Sequence, residues 1–403
     1  MKSRIEDGFR SVLRRAGINK LYHRYQPAIM SQMRILCDLV DKRLGINGKQ
    51  RPILITRNIT DAQLNDLKER WQFYVPQLPA DALEVKSYLE WRDVLSRRPI
   101  LLFGELPLLA AGIRRYRPEV FDIDYRRNPT DGWEWCGLAQ FYSPTADLCA
   151  SKQRFKEYVD ALRKQQLEIC YVFGTGPSLE NAIERDWSDG YRIVCNTIVR
   201  DPVLWQHLNP HFIVAGDAIY HFGHTAFARA FRKDLKERLS ETQTFFVYPD
   251  GYDGIVRREL GMFSERLIPI PLGEHARINV DLTRNFTLPI GLGNVLAMIL
   301  LPLACTLSRK VGLWGFDGRA PNDKLFWGNS DKHSYPELIP DLQRAHPHFF
   351  EYHVPKEEPN RYVKEVHGDL LDERLGLAER EGHTFVMLHS SWTPTFQKRY
   401  RQS

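Results

Sequence analysis

The sequence predicts an α/β protein: a doubly wound, mostly parallel, Rossmann-like sheet with an additional N-terminal α/β domain. Three observations carry that expectation. From residue 151 on, short apolar runs bounded by Gly, Pro, Asn or Asp alternate with helical stretches, the pattern of parallel strands joined by crossover helices. The run Ile169–Phe173 breaks into Gly174-Thr175-Gly176-Pro177-Ser178, a strand feeding a glycine turn and a helix start. A chain of 403 residues exceeds what one hydrophobic core ordinarily organises, so two domains are expected, 1–150 and 151–403.

In the first domain, 5–44 reads as largely helical, with breaks at Gly17 and Pro27. A strand is expected at 52–56, a helix at 61–71 capped by Thr60, a second strand at 99–103 and a helix at 106–116. The stretch 117–145 is rich in Pro, Asp, Trp and Tyr without periodicity and reads as a connecting or lid-like segment.

In the second domain a helix is expected at 151–166 and strands at 169–173, 191–195, 212–215, 244–248, 267–270 and 311–316. Further helices are expected at 226–239 and, strongly apolar, at 294–308. Residues 349–353 and 384–388 read as additional edge strands. Parallel sheets bind ligands beyond the carboxyl ends of their strands. That rule selects Gly174–Ser178, Asn196, Gly216–Asp217 and Gly315–Arg319.

The glycine turn is the first candidate site. Gly174 and Gly176 would let backbone N–H groups approach a phosphate, and a helix start at Pro177–Ser178 would favour negative charge. The spacing is neither G-x-G-x-x-G nor G-x-x-x-x-G-K-[ST]. The competing account is a plain strand-to-helix turn.

Composition narrows the classes. A hydrophobic fraction of 43% with 26% charged residues belongs to a soluble globular chain. No apolar run approaches the roughly 18 residues of a spanning helix, and the start, Met-Lys-Ser-Arg-Ile-Glu, lacks a signal-peptide core. A cytoplasmic protein is expected. Six cysteines lie far apart without a C-x-x-C pair; Cys170, Cys195 and Cys305 sit in apolar runs and read as buried free thiols. The net charge is +6, with Arg10, Arg14, Arg15, Lys20, His23 and Arg24 crowded together. Opposite them, Phe9, Val12, Leu13 and Ile18 form an apolar face. Such a helix would suit peripheral contact with the inner face of a membrane, or packing on its own domain. No nucleic-acid-binding module is present.

The ordered set of motifs carries a resemblance. It comprises Gly174–Ser178, Val194-Cys-Asn-Thr197, Gly291-Leu-Gly-Asn-Val-Leu-Ala-Met298, Leu313-Trp-Gly-Phe-Asp-Gly318 and Lys332-His-Ser334. Over roughly residues 165–355 the chain resembles bacterial sialyltransferases that use CMP-sialic acid, and the related Gly-x-Gly-Pro-Ser nonulosonate and Kdo transferases. The resemblance implies a glycosyltransferase that takes CMP-sugar as co-substrate, without a further cofactor or metal. It implies that Gly174, Thr175, Gly176, Pro177 and Ser178 hold the CMP phosphate and that Asn196 touches the donor. Gly291, Gly293 and Asn294 would line the cytidine pocket, and Gly315, Phe316 and Asp317 would close the ribose or base side. His333 falls where the family places the base that deprotonates the acceptor hydroxyl. Histidine suits that task because its ordinary pKa is about 6.5.

This sequence also departs from the family. The family's two tyrosines that stabilise the departing phosphate are absent from 318–327, where Arg319 and Lys324 offer charge instead. Arg284 is the candidate partner for a donor carboxylate. Asp217, at a strand end, is either a catalytic carboxylate or a helix cap. His221 and His224 are either a metal- or carboxylate-binding pair or helix-surface residues. The expected partners are a CMP-sugar and a glycan acceptor, lipid-linked if residues 1–24 meet a membrane. Two other classes compete. One is a phosphotransferase like the pterin pyrophosphokinases, with Asp217 and Asp317 holding Mg²⁺. The other is a catalytically silent nucleotide-binding module.

Overall fold

The computed structural model describes residues 52–90, 93–94, 98–104, 117, 119–273, 277–289, 294–319, 330–353 and 368–400. The chain divides into two compact units, 1–124 and 125–403. The helices expected at 5–44 and 106–116, Gly291, Gly293 and Lys324 lie outside the described residues.

The first unit holds β1 (Ile53–Ile55), α1 (Asp61–Tyr74), β2 (Glu84–Lys86), β3 (Ile100–Leu102) and β4 (Val120–Asp122). All four strands are parallel, in the order β2–β1–β3–β4. The central pair, β1 and β3, is apolar throughout and buried on both faces, as parallel strands require. Thr60 caps α1 through a reciprocal box with Gln63.

The second unit contains α2 (Asp131–Tyr142), α3 (Leu148–Arg163), β5 (Ile169–Phe173), β6 (Gly190–Cys195), α4 (Pro202–Leu208), β7 (Phe212–Val214), α5 (Ala226–Glu241), β8 (Phe245–Pro249), α6 (Asp253–Leu260) and β9 (Leu267–Ile270). A two-stranded ladder, β10 (Leu272–Gly273) with β11 (Leu288–Pro289), follows. A π-helical turn, Leu296–Leu300, runs into α7 (Leu301–Leu307) and then β12 (Lys310–Trp314). The last elements are α8 (Ile339–Ala345), α9 (Pro347–His353), α10 (Leu370–Arg380), β13 (Thr384–Met387) and α11 (Pro394–Gln397).

Seven parallel strands form one sheet in the order β13–β12–β5–β6–β7–β8–β9. The chain walks outward from β5 to β9, returns to the other side of β5 with β12, and continues to β13. The doubly wound Rossmann-like expectation is met, and the switch point lies between the carboxyl ends of β5 and β12. On one face, α3, α7 and α10 cover Cys170, Val172, Ile193, Val214, Val311 and Leu313. Tyr171 and Phe173, the alternate residues of β5, pack with Trp187 on the other face at 4.9 Å each. The expected buried thiols Cys170, Cys195 and Cys305 are free and inside, and burial pushes the Cys195 thiol up to about 12.

Three expectations change. The segment 117–145 is not an unstructured connection: it supplies β4 and α2. Buried residues of α2 (Asp131, Gly132, Trp135, Cys136, Leu138, Ala139) leave no clean polar face, so the helix has no amphipathic signature. The division between units falls at 124/125 instead of near 150, because α2 packs on α6, with Gly254 N donating to Gln140 Oε1 (2.9 Å). Residues 349–353 belong to α9, not to an edge strand; a short apolar run carries no period that separates strand from buried helix.

The outer edge of β13, which was expected, is covered by the segment after it. Met387 N donates to Arg399 O (3.0 Å) and Met387 bridges Tyr400. Arg399 is fastened to Asp372 (2.8 Å) and Glu379 (2.7 Å) of α10. Among the described residues, no helix is long and apolar enough to cross a membrane.

Candidate functional site

The predicted residues gather at the carboxyl edge of the large sheet, in two halves. The first half lies past β5, β12 and β13. Gly174 N donates to Trp314 O (2.7 Å) and Gly176 N to Gly315 O (2.9 Å). A Cβ on Gly174 would stand 2.5 Å from Gly315 O, and Gly315 itself has φ +78°. The glycines are thus needed because two turns interlock at the switch point. Ser178 donates from its backbone N–H to both oxygens of Asp317 (3.2 and 3.2 Å) and from Oγ to Oδ2 (2.8 Å). That Oδ2 lies 2.1 Å from where a Gly176 Cβ would sit.

The expected phosphate cradle is therefore filled from within. The Asp317 carboxylate stands where a phosphate would, and the strand-to-helix account explains the glycines. Pro177 opens a 3₁₀ helix, Pro177–Glu184, not an α-helix. Asp317 thereby caps this turn. His389, which has no sequence signal, completes the network. Its Nε2 accepts from Gly315 N (2.9 Å) and lies 2.8 Å from Ser178 Oγ, while Nδ1 donates to Ser390 O (2.7 Å). Burial holds His389 below its ordinary pKa against the opposing pull of Asp317, so Nε2 stays an acceptor. Phe316 packs on Phe396 at 5.9 Å. Thr175 O accepts from Ser330 N (3.3 Å), tying the turn to the segment that carries His333. Arg319 follows Gly318 (φ +77°) and is half-buried.

The second half lies past β6 and β7. Asn196, the residue after β6, has φ +51°, an uncommon backbone for a residue with a side chain. Its Oδ1 is sealed from solvent with no hydrogen-bond partner among the described residues. The next residue, Thr197, donates from Oγ1 to His333 O. His333 is buried. Its Nε2 lies 3.2 Å from Asp201 Oδ2, while Asp201 Oδ1 caps α4 through Val203 N (2.9 Å) and Leu204 N (3.0 Å). Nδ1 of His333 is buried without a partner among the described residues. Burial lowers the His333 pKa, and the Asp201 carboxylate pulls the other way. The ring is neutral near pH 7, its proton fixed on Nε2 by Asp201, and Nδ1 is a bare acceptor.

Asp217 sits just past β7. Its Oδ1 accepts from Ile219 N (2.8 Å) and Tyr220 N (2.9 Å), which is the capping role. Oδ2 has no partner among the described residues, and burial pushes the carboxyl up to about 6. His221 Nδ1 accepts from Asp217 N (3.4 Å), its ring packs on Phe231 at 4.5 Å, and burial pushes it down to about 3. It is a core histidine, not half of a surface or metal-binding pair. Among the described residues, no group of three His, Cys, Asp or Glu side chains converges on a metal position.

The helix start at Asn294 reaches this edge, since Val295 and Met298 lie within 4 Å of a Cβ built on Gly216, whereas Arg284 does not. Asn294 Oδ1 accepts from Ala297 N (2.8 Å) as a helix cap. The Arg284 side chain is 88% exposed and pairs with Asp281 (3.3 Å). The Asp281 turn is tied to Arg163, ahead of β5, and to Thr306, ahead of β12, so Arg284 sits at the amino edge, away from the site. Asp217 and Asp317 follow strands three ladder steps apart, roughly 14 Å at ~4.8 Å per step, and cannot share one metal ion.

One pair was missed. Asp131, at the start of α2, holds His346 Nδ1 with both oxygens (2.9 and 2.8 Å). Both residues are fully buried, and His346 Nε2 has no partner among the described residues. The residues lie 215 positions apart, so spacing carried no sign of the pair.

No protein-family model, curated protein or solved structure matches this chain.

Proposed function

We propose that the chain is a glycosyltransferase. It moves a 3-deoxy-ulosonic acid, Kdo or a sialic-type sugar, from a CMP-activated donor to a glycan acceptor in surface polysaccharide or lipopolysaccharide assembly. The observation that carries this reading is His333: a buried neutral histidine, oriented by Asp201 on one nitrogen and without a partner among the described residues on the other, between strand ends that bear the donor-type motifs. A base needs that state before it can accept a proton.

In the proposed reaction the acceptor hydroxyl gives its proton to His333 Nδ1 as its oxygen bonds the anomeric carbon. The bond from that carbon to the phosphate oxygen breaks, and CMP leaves with the electron pair. Asp201 stabilises the imidazolium. Arg319 supplies charge near the departing phosphate. The Asp317 carboxylate marks an anion position on the Gly174–Ser178 turn, which the donor phosphate takes once that side chain turns away. A lipid-borne acceptor fits the basic residues between Arg10 and Arg24; unchanged vesicle binding after deletion of residues 1–24 would remove that part.

The test is thermal denaturation with CMP, CDP, UMP, AMP, ADP and ATP, each with and without EDTA. A ligand that binds only the folded chain raises the midpoint. Selective, EDTA-insensitive stabilisation by CMP supports the reading and directs assays to CMP-Kdo and CMP-sialic acid. Stabilisation by ATP with Mg²⁺, and none by CMP, overturns it in favour of a phosphotransferase.

A further inference from the structure

The Asp131–His346 pair is not an isolated stitch in the core. A Cβ on Gly132 would lie 2.6 Å from Ile219 Cγ1, so the first turn of α2 is pressed against the loop that begins with Asp217. The next residue, Trp133, stands beside Tyr252, whose hydroxyl donates to Gly216 O (3.3 Å). Trp133 and Tyr220 both pack on Phe349, at 6.0 and 6.1 Å between ring centroids, and Phe349 lies three residues beyond His346. His346 also comes near Asp217. One small region past β7 therefore holds two half-buried aromatic rings, Trp133 and Tyr220. It also holds a carboxylate oxygen and an imidazole nitrogen that bond nothing among the described residues.

A buried polar atom without a partner is costly, and native sites that keep one commonly present it to a ligand. Rings beside unpaired acceptors suit one chemical class well. The C–H face of a pyranose covers an aromatic ring, and its hydroxyls donate to carboxylate and imidazole. We infer that the carboxyl end of β7 carries the acceptor subsite. It binds a polyhydroxylated sugar ring against Trp133 and Tyr220, with hydroxyls donating to Asp217 Oδ2 and His346 Nε2. Asp131 is the positioning residue: it keeps the His346 proton on Nδ1 and leaves Nε2 an acceptor. The assignment of this sugar as acceptor rests on the glycosyltransferase reading; the binding itself does not.

Saturation-transfer NMR on the full chain tests it. The probes are methyl β-galactoside, methyl β-glucoside, methyl α-mannoside and methyl N-acetyl-β-glucosaminide, each with and without CMP. At least one glycoside is expected to receive saturation on its ring C–H protons. Trp133→Ala and Asp217→Asn should each weaken it about tenfold or more, and His346→Gln should weaken it too. Trp133→Phe, which keeps a ring, should stay within about threefold. Thermal midpoints identify the folded variants; if Trp133→Ala does not fold, Asp217→Asn, which keeps its capping oxygen, decides. No saturation of any of the four glycosides overturns the inference. So does binding that is unchanged in Asp217→Asn. Glycoside binding without CMP stabilisation would keep the subsite and sink the CMP-sugar reading. CMP stabilisation without glycoside binding would do the reverse.

Discussion

The two halves of the carboxyl edge are built on opposite principles. Past β5, β12 and β13, the polar groups of the glycine turn find partners inside the protein: Ser178 in Asp317 and His389, Gly174 in Trp314, Gly176 in Gly315. Past β6 and β7, Asn196 Oδ1, His333 Nδ1 and, between α8 and α9, His346 Nε2 are sealed without partners among the described residues. An unpaired buried polar atom costs on the order of 1–3 kcal/mol, so these three groups stand to gain from a ligand that bonds them. The difference teaches that the conspicuous motif marks a joint between strands, and that capacity to meet a ligand is greater in the half with the fainter sequence signal.

The largest effect that could break this contrast is on turnover. His333→Ala is expected to cut transfer from CMP-Kdo or CMP-sialic acid by about 10²–10⁴-fold, the range of a lost acid–base group. Asp201→Asn, which keeps an oxygen for capping α4, should lose less than His333→Ala, and kcat is the quantity to compare. If His333→Ala turns over normally, the open half is not the catalytic one.

The closed half should answer in stability. Gly174→Ala puts a methyl group 2.5 Å from a backbone oxygen that cannot rotate away. About 2–3 kcal/mol of stability should be lost, read as a lower midpoint in denaturant. Gly251→Ala, with nothing within 4 Å of its Cβ, is the matched control and should fall within about 0.5 kcal/mol of wild type.

Acid sharpens the contrast further. His221 and His211 are pushed down to about 3 and about 4 by burial, below the ~6.5 of an unfolded histidine. The unfolded chain therefore binds more protons below pH 6.5, and stability falls as pH drops from there. Asp217 acts oppositely, because its carboxyl is raised from 3.8 to about 6; its folded form binds the proton more tightly, which adds stability as pH falls through 6. Two histidines outweigh one carboxylate, so the thermal midpoint should drop between pH 7 and 5. At pH 5, His221 alone accounts for roughly 2 kcal/mol, and His221→Gln should flatten the profile.

The smallest effect concerns Asp317. If its carboxylate occupies an anion position, Asp317→Asn removes the competing charge and should tighten CMP binding by about fivefold, or ~1 kcal/mol, in isothermal titration. Weaker binding would mean that Asp317 itself touches the nucleotide.

Much of the fold was legible, and much less of the site. The described strands of both sheets correspond to short, bounded apolar runs such as Ile169–Phe173 and Phe212–Val214, with the glycine-poor β2 and β4 overlooked. The Thr60 cap followed from one hydroxyl residue before a helical pattern. α2 escaped because it is buried on several sides, and α9 because Phe349-Phe350 has no readable period. At the site, strand ends were placed correctly by topology alone. What each group bonds was not, since Asp317 reaches Ser178 from 139 positions away. A carboxylate that fills a cradle and a phosphate that would fill it leave the same glycines in the sequence.

The covered rim of β13 has a consequence for solubility. An exposed parallel strand offers a row of unpaired N–H and C=O groups to any passing chain, a template for aggregation. Here Arg399 O takes the Met387 N–H, and the Arg399 guanidinium clips that segment to α10. The same strand leads directly into His389 and the glycine turn. Loosening the Arg399 clip would thus both uncover a self-association template and unseat one wall of the carboxyl edge, making loss of binding and loss of solubility a single event.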